Sequence, residues 1–232
     1  MKTSISWNSN LNFKIAITGI LFSLSLIFFS FSHNYLSWPF FQSLGLKIDL
    51  STLFLVPIFL LANFWLGFCS LLVRFLIGPW LIFNRFGGID IIYFGHFVLF
   101  LASIIYIFSF LGFRYLFIKI FKNFAKIKRF IILSLIISIL TTDLMMTFLN
   151  GILIFPVYLK LFNIIDSVSL NLVYKKWDGI QKSFSENANF SYWSFIFSVF
   201  IPFNLVNFAV PSILAFPIYM IIEHFHKNKT LN

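Results

Sequence analysis

The chain reads as an all-α integral membrane protein of six transmembrane helices with both termini cytoplasmic. Composition is the first ground: of 232 residues, 60% are apolar and only 10% charged, against about 25% charged in a soluble domain. The second is that apolar residues gather in runs long enough to cross hydrocarbon. The third is where the net charge of +10 sits. The basic residues lie between and after the runs, so they answer to lipid headgroups and orientation, not to nucleic acid. A lone cysteine, Cys69, leaves no intrachain disulfide and no cysteine-based metal site.

The elements follow in order as one membrane domain over 1–232. Met1 to Phe13 is polar, and Lys2 and Lys14 flank the first apolar run, Ile15 to Phe31. An uncleaved span over about 14–32 is preferred to a signal peptide, because the run is long and more spans follow. Ala16, Gly19 and Ser23 form a stripe of small residues that lets another helix approach, from this chain or from a partner. His33 to Asp49 is a connection. Leu50 to Val73 carries no charge, and Ala62-Asn63…Gly67 suggests a hairpin between spans of about 50–64 and 66–84. Arg85 to Asp90, with Gly87-Gly88, is a turn. The fourth span, about 90–113, is interrupted only by His96.

Arg114 to Arg129 holds Lys119, Lys122, Lys126 and Lys128 and no acid, so the positive-inside rule makes it cytoplasmic. The fifth span, about 130–160, is long enough to bend at Gly151 and Pro156. Asn163 to Asn189 reads as a polar connection, and Phe190 to Phe200 as a re-entrant or interfacial piece. The sixth span runs over about 202–224 with Pro202 in its first turn, and a basic tail with Lys227 and Lys229 follows. The loops 33–49, 85–90 and 163–189 then face outward.

Nothing in the chain suggests an enzyme. It has no G-x-x-x-x-G-K-[ST] phosphate loop, and His224 and His226 lack the neighbours a metal needs. Arg74 and Asp143 both lie near the midplane, which suggests a buried ion pair fixing helix register. His96 is expected to be a packed imidazole, with ligand contact as its second role. Asn204 and Asn207 share one helix face, and Asn150 on the fifth span reaches the same outer depth. Three carboxamides offer donors and acceptors suited to a neutral heteroaromatic ring or a polyol, and the abundant aromatic residues supply flat walls. The alternative is an interhelical clamp, worth about 1 kcal/mol in membranes. The ligand pocket is preferred.

Three stretches resemble the S components of energy-coupling factor vitamin transporters, most closely the riboflavin-binding branch. Lys47-Ile48-Asp49-Leu50-Ser51 followed by Pro57 and Gly67 is similar to the family's entry into its second and third helices. Thr147 to Tyr158 resembles its N-x-x-x-x-x-P-x-Y pattern, and Ile201-Pro202-Phe203-Asn204-Leu205-Val206 resembles the start of its sixth helix. Asn207 and Phe208 stand where that pattern continues with lysine and glycine.

The resemblance implies a protein of the plasma membrane that captures a vitamin from outside, with no resident cofactor. Delivery would need a T subunit and two ATPase subunits, docked through Ala16, Gly19 and Ser23. Asn150 and Asn204 match flavin-contacting positions, and Asp49, Leu50, His96, Tyr158 and Asn207 complete the implied binding set. Riboflavin is the leading ligand and another vitamin or precursor the second. A self-sufficient carrier, with Asp143 taking up a proton, is the competing class.

Overall fold

The computed structural model describes residues 11–40, 45–82, 88–121, 127–184 and 190–229. Lys2, Arg85 to Gly87, and Lys122 and Lys126 of the basic segment lie outside the described residues. So do the side chains of the tail, His224, His226, Lys227 and Lys229 among them.

The described residues form helices α1 (Leu11–Tyr35), α2 (Thr52–Leu61), α3 (Phe64–Ile77), α4 (Ile89–Phe121), α5 (Ile127–Leu149), α6 (Phe155–Leu161), α7 (Leu170–Phe184) and α8 (Tyr192–Lys229). A 3-10 turn, Gly78–Leu81, extends α3, and a π turn, Asn150–Ile154, joins α5 to α6. Five stretches are long and apolar enough to cross a membrane: Leu11–Tyr35, Phe64–Leu81, Ile89–Ile120, Phe130–Leu161 and Tyr192–Ile218.

The second expected span is instead a helix of 10 residues, about 15 Å long, or half a hydrocarbon thickness. Leu60 aside, every residue of α2 is buried. Such a short helix survives at depth because protein, not lipid, surrounds it. Asn63 separates it from α3, its side-chain oxygen accepting from the Leu66 N–H at 2.8 Å in the manner of an N-cap.

Two further boundaries differ from the sequence reading. The piece 190–200 is neither re-entrant nor separate, because α8 runs unbroken from Tyr192 through Pro202, Pro211 and Pro217. The connection 163–189 contains α7, whose Val173, Trp177 and Ile180 turn one apolar stripe inward.

At Gly151 and Pro156, where the sequence suggests a bend, the helix opens into the π turn Asn150–Ile154, and the opening has a specific cause. Pro156 has no N–H, so the chain widens by one residue and the Phe155 N–H bonds the Asn150 carbonyl. That leaves the Gly151 carbonyl without a backbone donor, and the Tyr192 hydroxyl donates to it. The next residue, Trp193, lies flat against Gly151, where a Cβ would fall within its ring. The start of α8 is thus pinned to the end of the fifth span.

Two hydrophobic cores result. The larger one fills the bundle, with Leu55, Ile58, Tyr106, Phe110 and Met146 among its members. The smaller one caps one end, where Trp38, Phe155, Trp177, Phe195 and Phe203 pack together. Residues 36–40 and 45–48 join this cap as an antiparallel pair, in which the Trp38 N–H donates to the Leu46 carbonyl at 2.9 Å and that of Ile48 to Leu36 at 3.0 Å. Replacing Gly151 by Val should cost about 1–3 kcal/mol of stability, because Trp193 has to leave its place. Gly112→Ala, where a Cβ meets open space, should cost nothing. Thermal unfolding in detergent compares the two, and equal losses would contradict the contact.

Candidate substrate cavity

The cap and the bundle do not close on each other. Between them lies a cavity of about 510 Å³, lined from α1, α4, α5, α6 and α8 and from residues 45–47. Phe155, Phe162, Phe200, Phe203 and Phe208 give it aromatic walls, and Leu99, Ala102 and Met146 aliphatic ones. Its polar side chains are His33, Lys47, His96, Asn150, Tyr158, Asn204 and Asn207. No aspartate or glutamate lines it among the described residues.

The three carboxamides are therefore brought together at one cavity, and each uses one end to bond protein. The Asn150 amide donates to the Met146 carbonyl at 2.8 Å. The Asn204 amide donates to Thr147 Oγ1 at 3.2 Å, and the Thr147 hydroxyl donates onward to Asp143 Oδ1 at 3.4 Å. Asn207 does the reverse: its Oδ1 accepts from the Asp49 N–H at 2.6 Å. Asn150 Oδ1, Asn204 Oδ1 and Asn207 Nδ2 have no bonds to other described residues. The cavity thus offers two acceptors and a donor on its α5 and α8 walls.

The facing wall carries two imidazoles. His96 on α4 stacks on His33 at 5.7 Å between ring centres, and Phe29 packs on both at 5.3 and 4.3 Å. His33 Nε2 is buried without a hydrogen-bond partner among the described residues. Sequence reasoning passed over His33, although a histidine four residues after Phe29 at the end of an apolar run is a readable signal. Tyr158 sets its ring edge-on against Phe94 at 5.0 Å. Gly95 makes room for its hydroxyl, which lies 3.1 Å from where a Cβ would stand. Lys47 is the cation of the lining, and its Nζ donates to Ser37 Oγ at 2.6 Å.

Two expected substrate contacts lie elsewhere. Asp49 and Leu50 do not line the cavity. The Leu50 N–H donates to Ser32 Oγ at 3.1 Å, and the Asp49 side chain is buried at 2% exposure behind Asn207. The expected Arg74–Asp143 pair does not form either. Arg74 Nη1 binds Asp49 Oδ2 at 3.0 Å, and Arg74 also donates to Ser51 Oγ and, through Nη2, to Ser103 Oγ at 2.8 Å. The reason is reach: residues 49–51 fold inward beside α3 and deliver an acid and a hydroxyl to the guanidinium first. Asp143 is left with Thr147 and, among the described residues, no cation.

Ala16, Gly19 and Ser23 all lie on the exposed side of α1, and a Cβ on Gly19 would meet open space. They do not pack against the other described residues.

Residues 13–219 match the family model described as ECF transporter, substrate-specific component. An uncharacterized protein of Mycoplasma pneumoniae is 26% identical over 228 residues, covering 94% of this chain and 90% of that relative. No solved structure matches the chain.

The two buried acids differ in what they support. Asp49→Asn leaves the Arg74 charge uncompensated and should cost about 3–5 kcal/mol. Asp143→Asn removes a carboxyl that faces no cation among the described residues and should leave thermal stability nearly unchanged. Unfolding temperatures of the two purified variants decide the matter, and a larger loss in Asp143→Asn would restore the first-expected pairing.

Proposed function

Since the chain belongs to the family of ECF transporter substrate-specific components, we propose that the cavity under the cap is its substrate site and that riboflavin, or a related flavin, is what it captures. The family is a transporter class and not an enzyme class, and its members are multi-pass membrane proteins that work with a T and ATPase module. The observation that carries the flavin reading is the cavity itself. It is a cavity of about 510 Å³ with aromatic walls, free of acids among the described residues, and each of its three carboxamides keeps one end unbonded to other described residues. A neutral tricyclic ring with carbonyl and N–H groups on one edge and a polyol tail suits such a lining.

The same reading extends to topology and partners. Residues 45–51 and α2 together make the second of six passes, and both termini lie in the cytoplasm with the basic segment 114–129. The membrane is the plasma membrane, and the module has one T subunit and two ATPases. It docks on the outward stripe of Ala16, Gly19 and Ser23, whose exposure supports contact with a second protein. ATP hydrolysis in the module drives uptake, because this chain has no phosphate loop of its own.

A proton-coupled carrier is the second reading. What favours it is Asp143, an acid at membrane depth without a cationic partner among the described residues. Asp143→Asn protein that takes up riboflavin normally in cells would remove that reading.

Purified protein should bind riboflavin and quench its fluorescence. Asn204→Leu should weaken binding at least about tenfold, a buried hydrogen bond being worth about 1–3 kcal/mol. Unchanged affinity would take Asn204 out of the site, and no quenching by the unmodified chain would end the flavin reading. Gly19→Trp should leave binding intact but stop co-purification with the module. Persistent assembly would move the docking face elsewhere.

A further inference from the structure

We infer that Asp49 and Arg74 are positioning residues for the substrate: they hold the Asn207 carboxamide one way round, so the ligand meets an N–H donor at that point of the wall. This deepens the reading of the cavity as the nutrient site and rests on it.

A carboxamide is nearly symmetric in shape, yet its two ends have opposite hydrogen-bonding character. If nothing restrains it, it turns over and serves ligand donors and acceptors alike. At Asn207 that freedom is gone. The Asp49 backbone N–H donates to Oδ1 at 2.6 Å, and both residues are buried. An N–H cannot accept from an NH2 group, so turning the amide over would set donor against donor and orphan both. The choice is as firm as the placement of that one backbone N–H.

The Asp49 side chain secures the placement. Its Oδ1 accepts from the Ser51 N–H at 2.8 Å, closing a tight local turn, and its Oδ2 accepts from Arg74 at 3.0 Å. Arg74 is held in turn by Ser51 Oγ and by Ser103 Oγ on α4, and the Ser103 hydroxyl donates to the Leu99 carbonyl at 2.8 Å. Meeting three acceptors from one planar fork is a task for arginine and not for lysine. The guanidinium also lies 5.9 Å from the centre of the Phe29 ring, which packs on the two cavity histidines. The pair therefore acts on the lining without entering it.

The consequence is selectivity for an uncharged acceptor. Asn207 stands at the position the riboflavin-type pattern gives to lysine, and its locked amide keeps a donor there without the charge. A ring carbonyl or unprotonated ring nitrogen is met at this point. A ligand presenting N–H or a cationic group there is opposed.

The test uses the full chain in nanodiscs with 15N-labelled asparagine, and riboflavin as the probe. Arg74→Lys keeps the charge but not the fork, and Ser103→Ala removes one anchor of the guanidinium while sparing the ion pair. Asn207→Leu identifies the Asn207 side-chain signals by their loss. Without riboflavin, Arg74→Lys and, more weakly, Ser103→Ala should shift the Asn207 NH2 signals. Riboflavin affinity should fall at least about tenfold in Arg74→Lys and in Asn207→Leu. The double variant should bind no more weakly than Asn207→Leu alone, because Arg74 acts through Asn207. Losses that multiply in the double variant would overturn the positioning role, as would Asn207 signals unmoved by either serine or lysine substitution. A failure of the unmodified chain to bind riboflavin would sink the flavin reading alone, since the amide signals judge the positioning without ligand.

Discussion

One guanidinium has to be satisfied inside the bundle, and much of the architecture near the cavity follows from how that is done. A charge taken from water into protein at membrane depth costs several kcal/mol unless it is paired and fully hydrogen-bonded. Arg74 is 3% exposed. Its partners come from the segment ahead of α2 and from α4, so satisfying it ties those pieces to α3. The same turn then collects α1 and α8. Ser25 Oγ donates to the Ser51 carbonyl at 3.2 Å, Ser32 accepts from Leu50, and Asn207 accepts from Asp49. The half-length α2 can sit in the middle of the protein because its first residues are anchored in this way.

A second constraint works where α5 ends. Pro156 takes one donor away from the fifth span, and the chain answers with a widened turn and a tyrosine from α8. The widening begins at Asn150, which lines the cavity while its amide stays bonded to the Met146 carbonyl one turn back. Membrane-depth backbone tolerates such irregularity only where protein supplies the missing partner. The cavity thus lies between two devices that each satisfy an otherwise stranded polar group. One holds the Asn207 side of the lining and the other the Asn150 side. The substrate site proposed here benefits from walls fixed by bonds of this kind, since no ordering of them remains to be done on binding.

The polar residues of the cavity were legible in the sequence wherever they broke an apolar run. Asn150, Asn204, Asn207 and His96 are of this kind, and counting residues from the span ends puts the three asparagines at a common depth. The pairing of Arg74 was misjudged by the same counting. Depth is one coordinate of three, and it matched Arg74 with Asp143 while the true partner, Asp49, was assigned to an outer loop. The helix α7 was readable in principle from Val173, Trp177 and Ile180, but Lys175, Lys176 and Asp178 between them gave the stretch the look of a polar connection. Pro202 was read as the start of a helix because prolines favour first turns. In fact α8 passes through it, as membrane helices do when their neighbours repair the lost bond.

Composition and the order of apolar and basic stretches by themselves determined the membrane class, the all-helical build and the set of amides facing a common depth. These depend on how each residue partitions between water and hydrocarbon, which the residue and its near neighbours decide. Which buried charge finds which partner, and which end of an amide is left to the cavity, came only with the tertiary structure. A hydrogen bond depends on atoms within about 3 Å of each other, and Asp49 and Asn207, 158 positions apart in the chain, become neighbours only once the helices have packed.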